Sequence, residues 1–179
     1  MNKALVARLL GLITLLVGGA MGLALPWTLP FFGQVERFDA RAFGGLLGSM
    51  ALCGLLGGTL FRLGRRSRHD RLFRKEAIAV VGLSWVLATV LGAVPYWFSG
   101  ACPRVDAAGQ RVPFDVWEGL FESASGFSGT GATVITDLED PDLVPRAILF
   151  WRSETHFLGG LGIMVLFVAV LGLGSAGRA

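Results

Sequence analysis

The chain has 179 residues, 53% of them hydrophobic and 26 of them glycine, with a mean hydropathy of +0.62. That composition excludes an ordinary water-soluble domain and makes lipid the solvent of much of its surface. The formal charge is +3, but the basic residues sit between long uncharged runs and are not interleaved with aromatics, so they read as membrane topology and not as nucleic-acid binding.

A helix crossing a bilayer needs about 20 mostly apolar residues, and four runs approach or meet that length. The first, 9–25, is uncharged, preceded by Lys3 and Arg8 and followed by Pro26 and Pro30. Gly22-Leu23-Ala24 has the small-x-small pattern of a signal cleavage site, but the apolar stretch outruns the usual signal core, which favours a retained helix. The second run, 42–61, carries Gly44-xxx-Gly48 and Gly54-xxx-Gly58, a spacing that lets helices approach closely in lipid, and includes Cys53. The third, 77–98, ends in Pro95-Tyr96-Trp97-Phe98, an interface-type aromatic cluster, with Cys102 just beyond it. The two cysteines have no metal-type spacing, so neither a disulfide nor a zinc site is inferred.

Between the second and third runs lie Arg62, Arg65, Arg66, Arg68, Arg71, Arg74 and Lys75, opposed only by Asp70 and Glu76. This excess places loop 62–76 in the cytoplasm, together with the N-terminus, and leaves 33–41 and 99–113 outside. Topological anchoring is the plain reading of the loop. A surface for anionic lipid or a cytosolic partner is the second reading.

Residues 114–126 form the next candidate helix, with Pro113 suited to a first helical position and acids in the first turn. Thirteen residues rise only about 20 Å, too little to cross, so the segment reads as re-entrant. The loop that follows, Ser128-Gly129-Thr130-Gly131-Ala132-Thr133, has no ladder to satisfy its backbone, and such backbone at membrane depth survives only inside protein or along a water-filled path. Carbonyls of Gly129, Thr130, Gly131 and Ala132, with the Thr133 hydroxyl, would supply one wall of an oxygen cage replacing the hydration shell of K⁺. The partially negative end of the short helix would favour a cation nearby. Asp137, Glu139, Asp140 and Asp142 then fall outside, where they either concentrate cations or form a solvated turn.

The last run, 147–174, is apolar except for Arg152, Glu154 and His156. Charges inside a membrane are costly, and an ion pair between Glu122 and Arg152 that holds the loop is the simplest account, testable by a charge swap. His156 reads as a packed or interface histidine. Gly159, Gly160 and Gly162 suit close packing against the loop or a gating hinge. A rival reading takes Gly126-Phe127-Ser128-Gly129 as the GxSG pattern of rhomboid intramembrane proteases, with Ser128 as nucleophile and His156 as base. That signal is weak, because the serine precedes a polar, acidic stretch instead of opening a transmembrane helix.

The run Phe121-Glu122-Ser123-Ala124-Ser125-Gly126-Phe127-Ser128-Gly129-Thr130-Gly131-Ala132-Thr133, followed by Phe150-Trp151-Arg152-Ser153 and Leu158-Gly159-Gly160-Leu161-Gly162-Ile163, resembles the first pore repeat of the TrkH/KtrB potassium transporters. The resemblance implies an all-α integral membrane fold in which 1–76 is a two-helix region, 77–174 the first membrane–pore–membrane repeat and 175–179 a truncated cytoplasmic end. Members carry four such repeats in one chain around a single path, so three more are expected. It further implies K⁺ uptake or symport across a bacterial inner membrane with no catalytic group and no organic cofactor. The implied partners are a second full-length subunit in a homodimer, membrane lipid, and a cytosolic nucleotide-binding subunit of the TrkA/KtrA type. Gly131 matches the signature glycine of the filter. The chain departs from the pattern at Gly129, where members often have threonine, and at His156, where glutamine is more usual; the first departure makes monovalent cation conduction a firmer expectation than preference for K⁺ over Na⁺.

Overall fold

The computed structural model describes residues 2–33, 37–65 and 74–175. Of the basic loop, Arg66, Arg68, Asp70 and Arg71 lie outside the described residues, as do 176–179 at the chain's end.

Helix α1, Lys3–Met21, opens with Asn2 as N-cap, its side chain accepting the Leu5 N–H at 3.2 Å. The Asn2 N–H in turn donates to Glu76 Oε1 at 3.0 Å, which ties this helix start to the start of a later one. Pro26 lacks the N–H that an α-helical bond would use, and the chain tightens into a 3₁₀ segment, Gly22–Thr28, before the short helix α2, Pro30–Gly33. Helix α3, Ala40–Gly64, is capped by Asp39, whose carboxylate accepts the Ala42 N–H at 2.9 Å. Helix α4, Arg74–Phe98, contains Pro95 near its end. Among the described residues, Lys3–Thr28, Ala40–Gly64 and Lys75–Phe98 are long and apolar enough to cross a membrane.

Helices α1 and α3 pack antiparallel through small residues, but not through the pairs their spacing suggests. A Cβ on Gly11 would stand 2.6 Å from the Phe61 nitrogen, and one on Gly57 would meet the Gly11 carbonyl at 2.9 Å. Gly54 and Gly58, like Gly44, have open space where a side chain would go. The helix turns about 100° per residue, so the Gly57 face and the Gly54/Gly58 face are separate, and only the first meets α1.

After α4 a two-stranded hairpin, β1 (Arg104–Val105) and β2 (Arg111–Val112), leads into helix α5, Val116–Ser128. Such short strands carry no period for a sequence to display. Their turn is made by Asp106, which accepts the Ala108 and Gln110 N–H groups at 2.9 and 2.8 Å. Helix α6, Arg146–Ser175, runs for 30 residues, about 45 Å at 1.5 Å each. The loop before it is stitched back by Thr136 N–H to Pro103 O at 2.8 Å and Cys102 N–H to Leu143 O at 2.9 Å, while Arg111 pairs with Asp142 at 3.2 Å. Segments 99–113 and 134–145 therefore form one polar cap at the same end of the bundle. The core holds Met21, Leu46, Ile148 and Trp151, all fully buried, and the Trp27 ring stacks on Phe150 at 4.3 Å, joining the 3₁₀ segment to α6.

Candidate ion site at the end of the short helix

Helix α5 starts two residues later than its sequence suggests. Asp115, not Pro113, sets the start: its side chain accepts the Glu118 N–H at 2.7 Å while Glu118 accepts the Asp115 N–H at 3.0 Å, a reciprocal capping box. The helix also continues past 126 through Ser128, so the first residue of the expected loop is helical. Its C-cap is Gly129 at φ +72°, in the left-handed region that β-branched side chains rarely enter, and here glycine suits the position better than threonine.

The helix is wedged between its neighbours by removing side chains where backbones meet. A Cβ on Gly92 of α4 would reach the Phe127 ring and Ser123, both at 2.6 Å, and one on Gly159 of α6 would collide with the Phe127 carbonyl. Gly126 lies equally close to Thr155, and Gly119 to the Trp97 indole. Two indoles complete the clamp, Trp97 Nε1 donating to Asp115 O and Trp151 Nε1 to Gly92 O, each at 3.0 Å.

From this base the loop is held by one buried carboxylate. Glu122 is fully buried; its Oε1 accepts the Val134 N–H at 2.7 Å and also the Thr133 hydroxyl, and its Oε2 accepts the Arg152 Nε–H at 3.0 Å. Arg152 extends the network, Nη2 donating to the Gly131 carbonyl at 3.2 Å. Ser125 Oγ donates to the Ala132 carbonyl at 2.6 Å, and the Ser125 carbonyl accepts the Thr130 N–H at 3.1 Å. The Thr133 hydroxyl accepts the Ile135 N–H at 3.0 Å. Gly131 stands at φ +76°. Residues 128–133 are all exposed, and among the described residues no hydrogen bond uses the carbonyls of Gly129 or Thr130. A carbonyl oxygen has two lone pairs, so those of Gly131 and Ala132 keep acceptor capacity beside the one donor each receives. The charge of Arg152 near Gly131 O is offset by Glu122.

The sequence-expected residues thus divide. Gly131, Ala132, Thr133, Glu122 and Arg152 come together around Ser125 and the buried carboxylate, Thr130 joins through the Ser125 carbonyl, and Gly129 stands beside them as the cap of α5. Of the three glycines on α6, Gly159 makes the close approach, Gly162 meets the Trp85 ring at an ordinary 3.5 Å, and Gly160 faces open space, so a packing role for Gly160 within the described residues is excluded. His156 Nδ1 lies 2.8 Å from the Arg152 carbonyl, an intrahelical contact. The acidic stretch caps its own turn, Asp137 accepting the Glu139 N–H and Asp140 the Asp142 N–H at 2.9 and 2.8 Å, and no group of three metal-type ligands assembles among the described residues.

The geometry gives the protease reading no support. Ser128 closes a helix instead of opening one, its hydroxyl engages Ser125 O at 3.2 Å and Thr130 Oγ1 at 2.8 Å, and no hydrogen bond to His156 exists among the described residues. Sequence reasoning missed Ser125, Trp151 and Thr155. Ser125 was legible as the only hydroxyl three residues after Glu122 on the same helical face.

Three helices long and apolar enough to cross a membrane, with a short capped helix and an exposed loop packed among them, make this a mostly helical membrane protein. Residues 49–178 match the TrkH family, described as cation transport protein, and the chain belongs to that family. It is 31% identical over 171 residues, 96% of its length, to the Trk system potassium uptake protein TrkH of Halomonas elongata. It is 36% identical to TrkG of Escherichia coli over 61% of its length, and 39% identical to TrkH of Vibrio parahaemolyticus over 60%. The chain spans 31% of the Halomonas protein and 20% of TrkG. No solved structure matches it.

Proposed function

We propose that the loop 128–133 is one wall of a filter for K⁺ in a Trk-type uptake system, and that the observation carrying this reading is the Glu122 network, which fixes an exposed loop at the end of a short helix. Donors hold the carbonyls of Gly131 and Ala132, and those of Gly129 and Thr130 are left to an ion. Replacement of hydration water by carbonyl oxygen needs no catalytic group. The relatives named as potassium uptake proteins make K⁺ the first ion to test.

The orientation that fits the basic residues has the N-terminus and the α3–α4 connection in the cytoplasm of a bacterial inner membrane, with the polar cap and the loop's entrance outside. Helix α6 then returns across the membrane, and 77–174 acts as a membrane–pore–membrane repeat. In the full-length protein three further repeats would close the ring, two such subunits would pair, and a cytosolic nucleotide-binding subunit would gate uptake.

The test is growth of a K⁺-uptake-deficient bacterium on low K⁺ with the full-length gene. Gly131→Ser is expected to lose rescue at low K⁺ and to weaken discrimination against Na⁺. Undiminished selectivity in that variant would remove Gly131 from the filter.

A further inference from the structure

The end of α3 away from the polar cap carries a site that the ion path does not use. Phe61, Arg62 and Arg65 border an open groove of about 440 Å³ whose remaining lining is Gly54, Leu55, Gly58 and Thr59. Two guanidiniums lean over the Phe61 ring, Arg8 from α1 at 5.9 Å and Arg65 at 6.0 Å, so the ring gathers cationic groups from two helices at one point. Arg62 lies in the last turn of α3, where a cation is favoured by the helix dipole. That accounts for Arg62 but not for the second guanidinium, Arg65, on the same groove. Neighbouring Glu76, at the start of α4, holds the Asn2 N–H at 3.0 Å.

The basic end of the groove coincides with the end of a helix long and apolar enough to cross a membrane, where headgroups would lie, and the groove runs back along α3 from there. Along it Gly54 and Gly58 face open space, while the packing of α3 on α1 uses Gly57. Two guanidiniums at the end of the helix and an open groove along its outer face match one occupant, a phospholipid with an anionic headgroup. The geometry points to a binding site for an anionic phospholipid, its phosphate between Arg62 and Arg65 and an acyl chain along Gly58 and Gly54.

The experiment uses the full-length protein in mild detergent, with retention of phosphatidylglycerol and phosphatidylcholine compared by native mass spectrometry. Wild type is expected to retain phosphatidylglycerol about tenfold better, in keeping with the attraction of juxtamembrane basic groups for anionic lipid. Arg62→Gln/Arg65→Gln is expected to abolish that preference, and Gly58→Leu, whose Cβ would enter open space, to lower retention of phosphatidylglycerol. Millimolar inorganic phosphate is expected not to displace the lipid. Equal retention of the two lipids by wild type would overturn the proposal, as would an unchanged preference in the double arginine variant, undiminished retention in Gly58→Leu, or displacement by phosphate alone. Lipid retention unchanged while a soluble protein partner is lost would assign the arginines to that partner and overturn it too.

Discussion

Glu122 is the residue on which the loop depends, because one carboxylate serves three donors from two directions. Removing a partner from a buried charge network costs roughly 3–5 kcal/mol, so Glu122→Ala is expected to lower thermal stability markedly and abolish K⁺ uptake. Glu122→Gln keeps an acceptor for Thr133 and Val134 while losing the ion pair, and its melting temperature is expected between those of wild type and the alanine variant. The charge swap Glu122→Arg/Arg152→Glu is expected not to restore uptake even though the pair exists, since an arginine at 122 offers Val134 N–H no acceptor. Equal melting temperatures for the glutamine and alanine variants would mean that the ion pair alone matters. On the polar cap, burial pushes the Cys102 thiol above its ordinary pKa. Less thiolate is then present at neutral pH, and maleimide labelling of Cys102 in a Cys53→Ser background is expected to be slower than that of a free thiol, the rate rising as pH climbs past the ordinary thiol value.

At the scale of elements, long uncharged runs made the membrane helices legible, though each is longer than its apolar run. Residues such as Lys3, Arg8 and Arg62 continue a helix into the interface because their stems pack while their charges reach water. The short helix was legible from its length, but its boundaries were not: a Pro113 start and a Gly126 stop both compete with the Asp115 capping box and the Gly129 cap, and the bonded caps prevail. Glycine spacing misled in the same way, since GxxxG gives a face without saying whether anything is opposite it. The distinction can be tested on α6. Gly159→Ala must push the Phe127 carbonyl away and is expected to destabilise the protein by about 1–3 kcal/mol and impair uptake, whereas Gly160→Ala should leave the melting temperature of 1–179 unchanged or slightly raised. Equal effects of the two in that chain would contradict the packing described.

For the whole molecule, the exposed face of 128–133 and the share of its relatives that the chain spans belong together. On the proposed reading one loop supplies one wall, and a dehydrated ion needs oxygens on every side. Residues 1–179 produced alone are therefore expected to enter the membrane and give no K⁺ uptake, measured by rubidium flux against the full-length protein; flux from 1–179 would show that copies of this one repeat can close a path. The number of walls was never legible in the loop itself, because nothing local encodes what stands across an axis.

The backbone at Gly129 and Gly131 has a consequence for handedness. Positive φ is the everyday conformation of a mirror-image amino acid, so stereochemistry can separate torsion from crowding at these positions. At Gly129 an L-side chain would meet nothing within 4 Å, and its penalty, about 1–2 kcal/mol, is torsional. D-alanine introduced there by chemical ligation escapes that penalty while adding the same methyl group. A loop that accepts the D-residue and rejects the L-residue would be reporting the sense in which its chain turns.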